Sequence, residues 1–261
     1  MRLDPRASAA GVRLISHELL PSTNIEALAL ARKGERGPLW VTVSEQTAGR
    51  GRRGRSWVSA PGNLFASLLL TDPAPPEHWP ELAFVAALAV HDAVAEVVPN
   101  LKPQLAIKWP NDLLLNNAKF GGVLIEGENA ESGAVALGIG INCANHPAAT
   151  DFPAIDLAAA GATVAPATLF ATLSAKMLGR LAQWNRGEHF ATIRTDWLSR
   201  AAGLGQTIRV RRAADGELIG RFETIDETGR LILMLPGRRA EAVEAGDVVG
   251  LALTQSGAGG P

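Results

Sequence analysis

Seven consecutive residues, Gly49-Arg50-Gly51-Arg52-Arg53-Gly54-Arg55, hold four arginines and three glycines with no acid among them. Guanidinium groups are permanently charged forks that match phosphate and carboxylate oxygens, and glycines let a loop fold over what it holds. The chemistry this composition suits is closure over a polyanion such as a nucleoside triphosphate. Two phosphate-binding patterns overlap the stretch. Read as G-x-G-x-x-G, it needs a helix directly behind it to meet the pyrophosphate. Read as a near P-loop, with Arg55-Ser56 where Lys-Ser belongs, it needs the same helix. Trp57-Val58-Ser59-Ala60-Pro61-Gly62 follows instead. No helix starts there, so both readings are rejected. The bland alternative is a solvated basic loop or a nucleic-acid contact, and the lack of interleaved aromatics counts against single-strand binding.

Two further segments add cations. Lys108-Trp109-Pro110-Asn111-Asp112 places a lysine at a strand end and a polar pair in the turn, and Lys119-Phe120-Gly121-Gly122 places a second lysine before two glycines. Singly, such lysines are mostly surface charges and such Gly pairs mostly turns. Together with the arginine loop they supply the positive charge that phosphate chemistry needs. The five histidines show no metal-ligand spacing, so no metal is expected on histidine or cysteine. Cys143 reads as a small buried residue.

The elements that must position these residues can be read around them. Thr23 and Glu26 have T-x-x-E spacing, which predicts a capping box and a helix running to about Lys33. Leu39–Ser44 and Asn63–Thr71 read as strands on either side of the arginine loop. Pro80–Val98, rich in alanine and valine, predicts a buried helix on a sheet. Ile107–Trp109, Leu113–Leu115, Gly122–Glu126 and Ala134–Asn142 read as short strands, with Asn116-Asn117 as a hairpin turn. Leu169, Leu173, Met177, Leu181 and Trp184 lie at helical spacing within Pro166–Trp184, and a shorter helix follows through Phe190, Ile193 and Trp197. After Gly203 short alternating stretches separated by Gly, Asp and Pro predict a small antiparallel barrel of about five strands. The expected division is 1–203, 204–255 and a flexible tail at 256–261. The first eleven residues read as a ragged terminus.

With 261 residues, 47% of them hydrophobic and 20% charged, the chain can build a sizeable core, and wholesale disorder is excluded. A net charge of -1 excludes a generally basic nucleic-acid coat. One cysteine permits no internal disulfide, which fits a reducing cytoplasm. The longest apolar run, Leu82–Val90, has nine residues against the roughly 20 needed to cross a bilayer, so no membrane span is expected.

These residues resemble the biotin protein ligase family (biotin–[acetyl-CoA-carboxylase] ligases). The match runs from about Pro21 to about Leu251. Its parts occur in family order: Ser22-Thr23-Asn24, Gln46 with GRGRRGRSW, KWPND, KFGGVLIE, and GIGIN at Gly138–Asn142. The resemblance implies an α+β fold: a mixed sheet flanked by helices, of the class II synthetase-like kind, with a small C-terminal SH3-like β-barrel. It implies that biotin and ATP, with Mg²⁺, give biotinyl-5′-AMP and pyrophosphate, and that biotin then passes to one lysine of a biotin carboxyl carrier protein. Homodimers through sheet edges occur in the family. Some members carry an N-terminal DNA-binding domain, for which only 21 residues stand before Ser22, so no repressor role is expected.

Residue roles also follow from the resemblance. Ser22, Thr23, Asn24 and Gln46 would hold the biotin ring, with Gly49, Arg50, Gly51, Arg52, Gly122 and Gly138 completing that site. Lys119 would bridge the biotin carboxyl and the α-phosphate, with Arg50, Lys108 and Asp112 beside it as catalytic groups. Arg52, Arg53, Arg55, Trp57, Asn111 and Asn142 would hold ATP or the adenylate, Asn142 reading adenine. Gly138 and Gly140 would leave room for flat rings against a strand. Asn111 or Asp112 would orient Lys119 or a Mg²⁺ near Asp112, and Asp112 could accept the proton of the attacking lysine. Lipoate–protein ligase, with the same adenylate logic but without the arginine series, is the nearest alternative; a nucleic-acid-binding module and a biotin-storage protein are more distant ones.

Overall fold

The computed structural model describes residues 1–128, 133–212, 216–244 and 246–251. The tail at 256–261 lies outside the described residues. Along the chain run α1 (Pro5–Ala9), β1 (Arg13–Leu20), α2 (Thr23–Arg32), β2 (Leu39–Gln46), β3 (Leu64–Thr71), α3 (Leu82–Val97) and β4 (Leu105–Lys108). Then come β5 (Asp112–Leu115), β6 (Ala118–Glu128), β7 (Ala134–Ile141), α4 (Pro166–Trp184) and α5 (Phe190–Leu198). Last are β8 (Thr207–Arg212), β9 (Gly216–Ile225), β10 (Leu231–Leu235), β11 (Arg239–Val243) and β12 (Asp247–Gly250).

A seven-stranded mixed sheet in the order β1-β2-β3-β7-β6-β5-β4 forms the main body. β1 and β2 are parallel, and the other neighbours are antiparallel. Helices cover both faces, which explains why β3 is apolar along nearly its whole length rather than alternating. On one face Ala27, Leu28 and Ala31 of α2 pack on Leu39, Val41 and Leu69. On the other, α3, α4 and α5 bury the larger core, where Trp40 meets Phe170 edge-on at 5.4 Å and Phe84 meets Trp197 at 5.4 Å. Such aromatic pairs add about 0.5–1.5 kcal/mol beyond the area they bury. Asn116 and Asn117 both take positive φ, +50° and +63°, as a two-residue hairpin requires.

Four expectations are corrected, and one strand went unread. The N-terminal stretch is ordered: Asp4 caps α1 by accepting the Arg6 N–H at 2.8 Å, and its own N–H donates to Ser174 Oγ of α4. β1 went unseen because it is an edge strand whose exposure does not alternate with period 2. α3 proper starts at Leu82, since Pro76–Glu81 winds as a tighter 3₁₀ segment that carries Pro80. No capping box forms, because Ser22 is the residue that precedes α2 and the Thr23 hydroxyl is turned away into the site. The C-terminal strands form an antiparallel five-stranded sheet, β11-β10-β9-β8-β12. Among the described residues β11 and β12 do not pair, so that sheet is open.

Candidate active site

A single cavity of about 560 Å³ gathers residues from nearly every segment singled out in the sequence. Ser22, Thr23, Asn24, Gln46, Arg50, Gly51, Arg52, Arg55, Trp57, Lys108, Asn111, Asp112, Lys119, Gly122, Gly138 and Asn142 all line it. Gly49 and Arg53 do not. Gly49 sits beneath the loop, where an added Cβ would lie 2.4 Å from Ser59 Oγ and 2.5 Å from the Trp57 carbonyl oxygen. Arg53 turns to the C-terminal sheet. Six cationic side chains line the cavity against three carboxylates, Asp112, Asp151 and Asp247, so it carries a positive field suited to an anionic ligand.

The centre is built by a hairpin. KWPND spans the end of β4, the turn and the start of β5, so Lys108 and Asp112 stand opposite each other across the ladder. Lys108 Nζ lies 2.9 Å from Asp112 Oδ2, and Lys119, from β6, pairs with Asp112 Oδ1. A shift in register between Leu113 and Leu114 lets β6 bring Lys119 to the same carboxylate. Burial alone would push the Asp112 carboxyl up, but the two ammonium groups overcome it and hold it at about 2. Burial holds Lys108 below the ordinary lysine range despite Asp112. Lys108 Nζ also donates to the Val248 carbonyl at 3.0 Å and lies over the Phe152 ring.

The roles of Asn111 and Asp112 separate here. Asp112 contacts both lysines, whereas Asn111 donates from Nδ2 to the Val123 carbonyl and accepts from Arg52 Nη1 at 3.4 Å. With its carboxyl held at about 2, Asp112 is poorly suited to take a proton, and each of its oxygens faces an ammonium group. Among the described residues no three His, Cys, Asp or Glu side chains gather as a metal site.

The arginine loop runs irregularly from β2 to β3 with one 3₁₀ turn at Arg52–Gly54, so neither helix-based phosphate motif exists. Asp247 of β12 accepts three of its arginines: Arg52 at 3.5 Å, Arg53 at 3.2 Å and Arg55 at 3.0 Å. Arg52 is also tied to the Gly246 carbonyl at 3.3 Å, and its burial lowers its pKa. Arg50 turns the other way, pairing with Glu126 of β6 at 2.9 Å.

The end of the cavity lined by Thr23 and Gln46 is a hydrogen-bonded chain. Gln46 Oε1 accepts the Thr23 N–H at 2.9 Å and the Thr23 hydroxyl at 3.2 Å, while Gln46 Nε2 donates to Ser59 Oγ. The room at Gly138 and Gly140 is already taken by protein. A Cβ on Gly138 would lie 2.5 Å from Asn24 Oδ1, and one on Gly140 would lie 2.7 Å from the Trp57 indole. The flat ring against β7 is therefore Trp57 itself. Asn142 Nδ2 donates to the Ile155 carbonyl at 3.1 Å, which ties it to the segment carrying Phe152 over the cavity. Burial pushes the Cys143 thiol up to about 12, so it is an inert packing group.

Sequence reasoning missed Ser59, Ser67, Glu126 and Asp247. Glu126 gave a signal, an acid inside the apolar run Val123-Leu124-Ile125 that had to face something polar. Asp247 gave none, because its partners lie some two hundred residues away.

The mixed sheet carries a cationic cavity under an arginine loop, and residues 18–142 match the family described as Biotin/lipoate A/B protein ligase. Residues 203–249 match the Biotin protein ligase C terminal domain. The chain is 42% identical over 238 residues to the biotin–[acetyl-CoA-carboxylase] ligase of Paracoccus denitrificans, covering 87% of this chain and 96% of that protein. It is 33% identical to the enzyme of that name from Mycobacterium tuberculosis, covering 88% and 86%. The structure of Aquifex aeolicus biotin protein ligase in complex with biotin and ATP has the same fold, with a TM-score of 0.76, 23% identity, and 90% and 96% of the two chains covered. The chain belongs to the biotin–[acetyl-CoA-carboxylase] ligase family.

Proposed function

We propose that the chain activates biotin with ATP and transfers it to a lysine of a biotin carboxyl carrier protein, the carboxylase subunit that the relatives' names imply. The observation that carries this reading is the Lys108–Asp112–Lys119 cluster lying under an arginine loop in one cavity. In the first step a carboxylate oxygen of biotin attacks the α-phosphorus, the bond to the β-phosphate oxygen breaks, and pyrophosphate leaves. Two anions must approach, and Lys119 with Arg50 and Arg52 offsets their repulsion and the charge that grows on the phosphate. Asp112 holds Lys119 and Lys108 in place rather than moving a proton. In the second step the carrier's neutral lysine amine attacks the acyl carbon, AMP leaves, and an amide forms.

Thr23 and Gln46 hold the ureido ring in this reading, with Ser22 and Asn24 beside them. Trp57, Asn111 and Asn142 hold the adenylate. Mg²⁺ would enter on the ATP phosphates rather than on a protein cage, since no three His, Cys, Asp or Glu side chains gather among the described residues. Its chemistry is to neutralise phosphate charge. Residues 1–203 are read as the catalytic unit, a class II synthetase-like core, and 204–255 as an SH3-like C-terminal barrel, of which 213–215, 245 and 252–255 lie outside the described residues. A cytoplasmic enzyme without a nucleic-acid partner, dimerising through a sheet edge, completes the proposal. The test is direct detection of the intermediate. Incubation with biotin and Mg-ATP and no carrier should leave about one bound biotinyl-AMP per chain, and none would overturn the reading.

A further inference from the structure

Thr23 and Gln46 belong to a chain of polar contacts that ends on a residue outside the cavity. Gln46 Oε1 accepts from the Thr23 hydroxyl at 3.2 Å. The Ser67 hydroxyl, fully buried on β3, lies 2.7 Å from Thr23 Oγ1 and 2.6 Å from Asn24 Oδ1. Asn24 Nδ2 donates to the Leu124 carbonyl at 3.2 Å and to Glu126 Oε2 at 2.9 Å.

Both ends of this chain have only one polarity. A carboxylate paired with Arg50 and a carbonyl only accept, so the Asn24 amide must turn its NH₂ to Glu126 and Leu124. Its Oδ1 then faces Ser67, whose single hydrogen is shared between Asn24 Oδ1 and Thr23 Oγ1 in a three-centre bond. At the other end the Thr23 backbone N–H only donates, so it fixes Gln46 Oε1 toward Thr23. With Ser67 donating into it, the Thr23 hydroxyl sends its own hydrogen to Gln46. Neither hydroxyl keeps a hydrogen for a ligand, and the free capacity of Thr23 is a lone pair.

We propose that Glu126, acting through Asn24 and Ser67, sets the direction of these hydroxyl hydrogens and is a specificity-determining positioning residue for biotin. It makes Thr23 an acceptor, selective for a ring that offers an N–H. This inference rests on the assignment of the cavity to biotin. Glu126 touches no substrate; it also pairs with Arg50, so the two effects must be separated.

Two variants do this. Glu126→Gln can donate as well as accept, which frees the Asn24 amide to turn. Ser67→Ala removes the relay and leaves the Arg50 pair untouched. Steady-state adenylation is measured with biotin and with its cyclic carbamate analogue, in which one ureido N–H is replaced by oxygen, each N–H being deleted in turn. In the wild type, deleting the N–H that meets Thr23 should raise KM about tenfold, the ordinary worth of one well-made hydrogen bond. In both variants the KM for biotin should rise about tenfold and the penalty for deleting that N–H should shrink to below threefold, and in Ser67→Ala, where the Arg50 pair is intact, kcat should stay within twofold with the KM for ATP unchanged. A full penalty retained in both variants overturns the proposal, as does an unchanged KM for biotin. If Glu126→Gln does not fold, Ser67→Ala alone decides. A wild-type enzyme that does not adenylate biotin at all refutes the assignment of the cavity instead.

Discussion

In the proposed reaction the first step depends most on Lys119, which reaches from β6 to the Asp112 carboxylate and lines the cavity. Lys119→Ala should lower adenylation at least a thousandfold and leave the far-UV circular dichroism unchanged; near-normal adenylation would remove its role. Asp112 makes a separate prediction in pH. Its carboxyl is held at about 2 against a starting value of 3.8, so its contribution to stability is fully present above pH 4 and lost as pH falls toward 2. The shift corresponds to about 2 kcal/mol. Urea midpoints measured from pH 5 to pH 2.5 should fall more steeply for the wild type than for Asp112→Asn. At pH 7 the same variant should be less stable by about 3 kcal/mol, since it leaves the buried Lys108 without its counter-charge.

Among the elements, the loop between β2 and β3 depends on a strand far along the chain. Asp247→Ala would release Arg52, Arg53 and Arg55 together. Pairs this close to solvent add only about 0–1 kcal/mol each, so the melting temperature should fall by no more than a few degrees. Tryptic cleavage within residues 50–55 should nevertheless speed up severalfold, and bound biotinyl-AMP should dissociate faster; an unchanged cleavage rate would show that Asp247 does not restrain the loop. Arg52→Ala should give the faster dissociation without the general gain in cleavage. The elements also show where sequence is legible. α4, with five apolar residues at helical spacing, and the Asn-Asn hairpin were readable because local pattern dictates them. KWPND was readable as a strand end and a turn, but the cross-strand Lys108–Asp112 pair was not, because Asp112 was expected in the turn and stands instead at the start of β5. β1 was not readable, because an edge strand with one partner need not alternate. Glycine at 138 and 140 announced a close approach but not what approaches, since Asn24 and Trp57 come from distant segments.

At the scale of the whole molecule, the catalytic sheet and the C-terminal sheet meet at the site rather than beside it. Lys108 donates to the Val248 carbonyl, Trp109 Nε1 donates to the Gly229 carbonyl at 3.0 Å, and Asp247 and Val248 line the cavity. The C-terminal sheet thus completes the surroundings of a buried lysine and holds the loop that covers it. A single substitution at that junction can therefore alter activity without altering either sheet. In the proposed reaction this cavity joins a biotin carboxylate to the α-phosphate of ATP. Pyrophosphate release from Mg-ATP, with biotin and with lipoate supplied separately, tests it most directly. Release that depends on biotin and not on lipoate is the predicted result. Release with lipoate alone, or with neither acid, would contradict it.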